Sequence, residues 1–377
     1  MACQLDALRN CYTLKDLKRE LGTLPKTLED TYDQILLRID DNHRDSALRI
    51  LQWLSLAARP VTIQEASEVL AVDLSDQPCY DPDLKLLDPQ DLMHLCSTLV
   101  TRSAPSSELG LEVMPIYNDY SFSYKDSDVI RLAHLSVKEY LFSSRIKTSA
   151  ASFFASDARL VNAAMAQMCL VYLLQPYFAV GYCKWIDLAH RLEKWPLYHY
   201  AAHFWPLHVK ASAGVLDDKT WFLLQRFFNT RGASTGGNFV AWIVALTPDI
   251  TRTKAKETHP LYYAASFGIT SLIRKLLDSN PGLDVNAPGG RFCSSPLQVA
   301  GYRDHPAAVE MLLQANADPM AVNSQNESCL FWAVLRRHKE VRKLLEDHGA
   351  KWTSTDTALL KSRYRGRMED FDIVRGF

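Results

Sequence analysis

The feature that most constrains this chain is a threefold internal repeat towards its carboxy-terminal end. Placing His259, Ser295 and Ser328 in register aligns Pro260-Leu261, Pro296-Leu297 and Cys329-Leu330 directly after them. Five residues beyond each start stand Ala264, Ala300 and Ala333, and seventeen beyond stand Leu276, Leu312 and Leu345. The starts are 36 and then 33 residues apart, the extra residues falling around Gly289-Gly290. Periods of this length belong to solenoids, in which a unit too small to bury its own apolar face buries it against its neighbours. Each unit reads as a helix pair. Ser295 caps a helix whose first position is Pro296, the alanines let paired helices approach, and the leucines bury between units. Asn286, Asn323 and Gly349-Ala350 fall at the turns. Three units are about the minimum for a stable stack, so residues 236–247 and the segment from residue 351 are expected to act as caps.

A chain of 377 residues, 47% of them hydrophobic, holds more than one such unit of core, since domains run to about 100–200 residues. Lys and Arg total 42 against 43 Asp and Glu, a net charge of −1. No overall field concentrates nucleic acid or an anionic membrane surface. The basic run Lys361, Arg363, Arg365 and Arg367 reads as a solvated face. The eight cysteines include no C-x-x-C pair and no dense framework, which points to a reducing, cytoplasmic setting. The first residues lack the charged start and apolar run of a secretory signal. No charge occurs between Arg159 and Lys184, but Asn162, Gln167, Gln175 and Pro176 interrupt that stretch. It reads as a buried helix ending near Pro176, not a membrane span.

The amino-terminal third opens with Leu28, Tyr32, Ile35, Leu36 and Ile39 at the spacing of one helical face. A second helix carries Ala47, Ile50, Leu51 and Leu54 and stops before Arg59-Pro60. Thr62 and Glu65 form a capping-box pattern that opens a third, burying Ala66, Val69 and Leu70. Leu92, Leu95, Cys96 and Leu99 suggest a fourth. Leu111-Glu112-Val113 and Val129-Ile130-Arg131-Leu132 alternate as two strands of a ribbon. Ser136 and Glu139 repeat the capping-box pattern ahead of another helix. Helices followed by a ribbon describe a winged helix.

Several blocks carry a resemblance. Leu24-Pro25-Lys26-Thr27-Leu28, Leu51-Gln52-Trp53-Leu54, Arg59-Pro60-Val61-Thr62, Cys96-Ser97 and Ala133-His134-Leu135-Ser136-Val137-Lys138-Glu139-Tyr140-Leu141 resemble the winged-helix segment that follows the NACHT ATPase in fungal NLR-like (STAND) ankyrin proteins. That segment is the type labelled after a GPI inositol-deacylase, a label that implies no catalysis here. Cys3-Gln4-Leu5-Asp6-Ala7-Leu8 resembles the last piece of the NACHT unit, so the chain reads as the region after that ATPase. The resemblance implies that His134 faces the phosphates of a nucleotide held by the NACHT unit. No G-x-x-x-x-G-K-[ST] occurs to cradle phosphates, so no bound nucleotide or other cofactor is expected of this chain. Winged helices also bind DNA, but residues 70–92 contain Asp73, Asp76, Asp81, Asp83, Asp88 and Asp91 against the single base Lys85. Phosphate contacts need the opposite sign.

The carboxy-terminal repeats resemble ankyrin's T-P-L-H-x-A pattern, with Tyr262, Gln298 and Phe331 in place of its histidine. Between the two regions, residues 150–230 read as helical and aromatic. His199 and His203 stand four apart, with His208 beyond, but no H-E-x-x-H accompanies them, so a packed aromatic core is expected and no metal site. Gly232-Ala233-Ser234-Thr235-Gly236 matches the letters of a hydrolase nucleophile elbow, and Asp249 and His259 follow in triad order. The preceding segment lacks the buried strand an elbow requires. The expected fold is therefore mainly α: residues 1–44 the end of a NACHT-associated helical segment, 45–148 a winged-helix-like domain with a small β-ribbon, 149–230 a helical connector, and 231–377 a short, divergent ankyrin solenoid. The expected function is non-catalytic scaffolding of another protein through a concave ankyrin surface. A regulatory partner or decoy of an intact NACHT ATPase is the first alternative, and a serine hydrolase using Ser234 the second.

Overall fold

The computed structural model describes residues 13–15, 27–103, 129–182, 185–212 and 216–363. The segments 3–8 and 111–113 and the bases Arg365 and Arg367 lie outside them. The chain divides into two compact units, Met1–Met168 and Cys169–Phe377.

In the first unit, α1 (Leu28–Leu37) starts at Thr27, whose hydroxyl accepts the Asp30 N–H at 3.1 Å. It buries Tyr32, Ile35 and Leu36. Leu28, placed on that stripe by its spacing, is instead 51% exposed, because it sits ahead of the turn that meets the core. Helix α2 (Arg44–Leu56) buries Ala47, Ile50, Leu51 and Trp53. The chain then runs through Arg59-Pro60 into strand β1 (Val61–Thr62) and helix α3 (Ile63–Leu70). The capping box forms as the spacing requires: Thr62 Oγ1 accepts the Glu65 N–H at 3.1 Å, and Glu65 accepts the Thr62 N–H at 2.9 Å. The same buried carboxylate takes both terminal nitrogens of Arg59, at 2.9 and 2.5 Å.

A hairpin of β2 (Val72–Asp73) and β3 (Cys79–Tyr80) precedes helix α4 (Asp91–Leu95). Strands β4 (Val100–Ser103) and β5 (Val129–Leu132) complete an antiparallel sheet of order β1-β5-β4, with Val61 opposite Ile130 and Val100 opposite Leu132. Helix, strand, two helices and two strands over a three-stranded sheet make a winged helix. The sequence pattern had set Val129–Leu132 against residues 111–113. Its observed partners are β4 on one edge and β1 on the other. Val100-Thr101-Arg102-Ser103 was obscured by following directly on the Leu92–Leu99 helical pattern. Helix α5 (Leu135–Leu141) also differs in its cap. The N-cap is His134, in extended backbone, and its Nδ1 accepts the Ser136 N–H at 3.1 Å. Ser136 and Glu139 therefore form no capping box.

Helix α6 (Ala158–Leu173) accounts for most of the uncharged stretch and ends before Pro176. Among the described residues no helix is long and apolar enough to cross a membrane.

The second unit takes in the last turn of α6 and continues with α7 (Trp185–Lys194), α8 (Leu197–Ala211), α9 (Asp218–Asn229), α10 (Gly237–Leu246) and α11 (Arg252–Glu257). Helices α8, α9 and α10 share an aromatic hub around Trp242, whose ring lies 5.5 Å from Trp205, 5.6 Å from Phe227 and 4.7 Å from Tyr263. Its Nε1–H donates to the Ala202 carbonyl at 2.8 Å, satisfying the one polar atom that burial would otherwise strand. Because α10 is buried along nearly its whole length and reaches Tyr263, the expected amino-terminal cap is an integral helix of this hub.

Three helix pairs follow: α12 (Pro260–Phe267) with α13 (Thr270–Ser279), α14 (Pro296–Tyr302) with α15 (Pro306–Gln314), and α16 (Cys329–Leu335) with α17 (Lys339–Asp347). The first helix of each pair packs on the next first helix, and likewise the second on the second, giving an inner and an outer row. His259, Ser295 and Ser328 each cap their inner helix by a side-chain acceptor. Gly268, Asp304 and Arg337 close those helices in left-handed backbone, with φ of +65°, +58° and +61°. Glycine adopts this conformation at least cost, yet the second and third repeats place an aspartate and an arginine there, nine residues after their caps. Gly289-Gly290 has a steric reason as well. A Cβ on Gly290 would stand 2.4 Å from the Tyr262 hydroxyl, so the larger ring at ankyrin's histidine position is accommodated by the absence of a side chain opposite. Helix α18 (Ser354–Arg363) closes the stack. Its buried Asp356 accepts the Ser328 hydroxyl at 2.9 Å, and Leu360 packs on Phe331.

Candidate functional site

The repeat residues picked out by register occupy the interior of the stack. Leu261, Ala264, Leu297, Ala300, Leu312, Leu330, Ala333 and Leu345 are at most 2% exposed. Pro260 and Pro296 are buried at the first positions of their helices, whereas Leu276 is only half-buried. These side chains hold the rows at fixed spacing and leave the surface of the inner row free to carry function.

That surface has its own composition. The helices α12, α14 and α16 contain no Asp or Glu. The outer helices carry Asp278, Glu310, Glu340, Glu346 and Asp347. On the inner row, Tyr302 of the second pair meets Trp332 of the third edge to face, at 4.8 Å between ring centres. The guanidinium of Arg336 lies 4.0 Å above the Tyr302 ring and 5.8 Å from that of Trp332. It donates to the Tyr302 hydroxyl at 2.6 Å. Tyr302, Trp332 and Leu335 are half-buried and Arg336 is exposed. Sequence register alone did not single out this group: Arg336 shares its register with Arg303, but Tyr302 and Trp332 stand at different positions of their repeats. The signal available was the concentration of Tyr, Trp and Arg on one row, the residue types that dominate binding surfaces.

His305 and His338, 33 residues apart, donate from their rings to the carbonyls of Ser266 and Gly301 in the preceding repeats, at 3.1 and 3.0 Å. A cleft of about 270 Å³ opens beside His305, lined also by Lys210, Thr270 and Asp304. Burial, with Lys210 nearby, holds the imidazole neutral, its pKa pushed down to about 4.

In the first unit, His134 is exposed. Its Nδ1 receives the Ser136 N–H and lies 2.6 Å from the Ser136 hydroxyl, which in turn lies 2.7 Å from the Tyr32 hydroxyl. Acceptance at Nδ1 places the ring proton on Nε2, which is therefore a donor. The acidic stretch of residues 73–91 is not neutralised by Lys85, whose ammonium is committed to the buried Glu68.

The histidines of α8 do not converge. His199 and His203 stack at 4.2 Å, and His203 Nδ1 bonds the His199 carbonyl at 2.9 Å. His208 is buried against the Tyr200 hydroxyl at 2.9 Å, and burial depresses its pKa to about 4. Among the described residues no group of three or more His, Cys, Asp or Glu side chains could hold a metal ion. Ser234 sits in the turn between α9 and α10, so a helix stands where an elbow's strand would be. Its carbonyl accepts from Lys256 at 3.0 Å. Asp249 pairs with Arg291, and His259 Nδ1 is used in capping α12, so neither joins Ser234 in a triad.

These arrangements define the class. Residues 261–356 match the family of ankyrin repeats, in three copies, and residues 36–105 match the GPI inositol-deacylase, winged helix domain. The chain thus carries a winged-helix domain of that type and an ankyrin stack, the repeat type whose general work is protein–protein interaction. In an alignment 314 residues long that covers 79% of this chain, it is 34% identical to the azaphilone pigments biosynthesis cluster protein L of Monascus ruber. The chain spans 61% of the length of that relative.

Proposed function

We propose that this chain is a non-catalytic, cytoplasmic interaction protein that holds another protein on the inner row of its ankyrin stack. The observation that carries the reading is the Tyr302–Trp332–Arg336 group. It is rigid, exposed at its charged end, and set on helices whose buried faces are fully used in stacking. Rigid aromatic and arginine side chains are the residues through which interfaces gain most of their affinity. The name of the Monascus relative places that protein in an azaphilone pigment biosynthesis cluster, so products of a comparable cluster are the first partners to examine. The test is copurification of the tagged full chain from its own cells beside the double variant Trp332→Ser, Leu335→Ser. A stoichiometric protein partner lost from the variant supports the reading. Equal recovery from both, or none from either, removes it.

A second reading concerns the first unit. By its resemblance to the segment after a fungal NACHT ATPase, this unit would dock on such an ATPase as a regulatory partner or decoy. The outward-facing Nε2–H of His134 favours it, since that proton can be donated to a phosphate oxygen. Addition of a purified NACHT ATPase loaded with ADP tests it. Binding that weakens in His134→Ala is expected, and binding indifferent to His134 overturns the assignment.

A further inference from the structure

Resting on the reading that the inner row binds a protein, we propose that its partner is an acidic segment with an apolar side chain, its carboxylate held by Arg336 and its apolar group by Trp332 and Leu335. The first support is charge. The three inner helices carry neither acid nor base, while Arg303, Arg336 and Arg337, against the single acid Asp304, stand at or just beyond the ends of α14 and α16. The nearest carboxylate in sequence, Glu340, stands on the outer helix α17 and forms no ion pair with Arg336; Glu327, on the other side, is 5% exposed and already receives Arg363, Asn323 at 2.9 Å and Trp332 Nε1 at 3.3 Å. It is not available to Arg336. Among the described residues Arg336 forms no ion pair, and its partners are the Tyr302 hydroxyl and two aromatic rings.

Cations are favoured at helix C-termini whatever their function, and that accounts for the presence of arginines here. It does not account for the position of this guanidinium, which reaches back across the repeat boundary to within 4.0 Å of the centre of the Tyr302 ring. Contact with the ring and the hydrogen bond to its hydroxyl hold the fork in place and leave its remaining N–H groups to donate to a carboxylate. A weakly hydrated, prealigned cation beside half-buried Trp332 and Leu335 suits an Asp or Glu next to an apolar residue. A basic segment would be repelled, and a neutral one would leave the charge uncompensated.

The test uses a random twelve-residue peptide library displayed on phage, selected on the full chain and on Arg336→Glu. Peptides from the native chain are expected to be enriched in Asp and Glu beside an aromatic or aliphatic residue, and those from the variant to lose that enrichment. A synthesised native-selected peptide should bind Arg336→Glu at least roughly ten-fold more weakly, with Arg336→Lys between them, since hydrogen bonds to charged groups are worth about that factor or more. Arg336 is exposed, so both variants should melt with the native chain. Peptides that need Trp332 and Leu335 yet show no acid enrichment overturn this proposal and leave the protein-binding reading standing. Peptides indifferent to Trp332, Leu335 and Arg336, or no selected peptide, count against both. A single-stranded DNA oligonucleotide that binds Arg336 more tightly than the peptide does would also overturn the proposal.

Discussion

Glu65→Ala is expected to unfold the winged helix more readily than any surface change in the chain. The carboxylate is 1% exposed and Arg59 is 7% exposed. Two N–H groups of Arg59 and the Thr62 N–H all point at it. Removing one partner of a buried pair leaves the other charge without compensation, at a cost of about 3–5 kcal/mol. Loss of the reciprocal half of the capping box adds about 1 kcal/mol. The total, about 4–6 kcal/mol, is comparable with the whole stability of a small domain. Replacing both residues by apolar ones, Arg59→Met with Glu65→Leu, should recover most of it, since the desolvation cost disappears with the pair. The assay is pulsed hydrogen exchange in a urea series, read on peptides covering residues 61–72, so that unfolding of the first unit is followed separately. A single variant that loses less than about 1 kcal/mol, or a double variant no better than the single, would refute the assignment of this pair as the lock between β1 and α3.

Three further outcomes follow from the second unit and the cysteines. His208 is held neutral by burial, with a pKa near 4 against an ordinary 6.5. The unfolded chain therefore binds the extra proton between those values, and stability present above pH 6.5 should fall as pH drops towards 4, by up to about 3 kcal/mol from this residue; His208→Gln should flatten the slope of a melting series, and an unchanged slope would contradict the burial argument. Gly301→Ala places a Cβ 2.3 Å from Cys329 Sγ, between the second and third inner helices, and should cost about 1–3 kcal/mol in thermal unfolding; an unchanged melt would show that the rows are looser than described. Cys79 is exposed, whereas Cys96, Cys169 and Cys329 are buried, and burial pushes the Cys96 and Cys329 thiols up to about 12; iodoacetamide should label Cys79 well before these three, and early labelling of Cys329 would contradict the packing.

The parts legible in the sequence were those set by periodicity and capping. Thr62 and Glu65, Ser295 and Pro296, and the Ala264, Ala300 and Ala333 register each impose a local geometry that stacking reinforces. The errors arose where tertiary partners decide. Strand β4 directly follows a helical pattern, so its pairing with Val129–Leu132 has no local signature. The Ser136–Glu139 spacing fits a capping box, but an imidazole two residues before Ser136 captures the amide first. The Arg336 group was not picked out by repeat alignment, because Tyr302 and Trp332, the rings on which Arg336 rests, stand at different positions of successive repeats.

The most direct test of the inner row as the binding face is hydroxyl-radical footprinting of the full chain, alone and in complex with the partner recovered by copurification. Tyr302, Trp332 and Leu335 are half-buried and open to oxidation in the free chain. On binding, their oxidation should fall several-fold, while Phe222, which is 49% exposed on α9, stays unchanged. Protection confined to other surfaces, with Tyr302, Trp332 and Leu335 oxidised as in the free chain, would contradict the account.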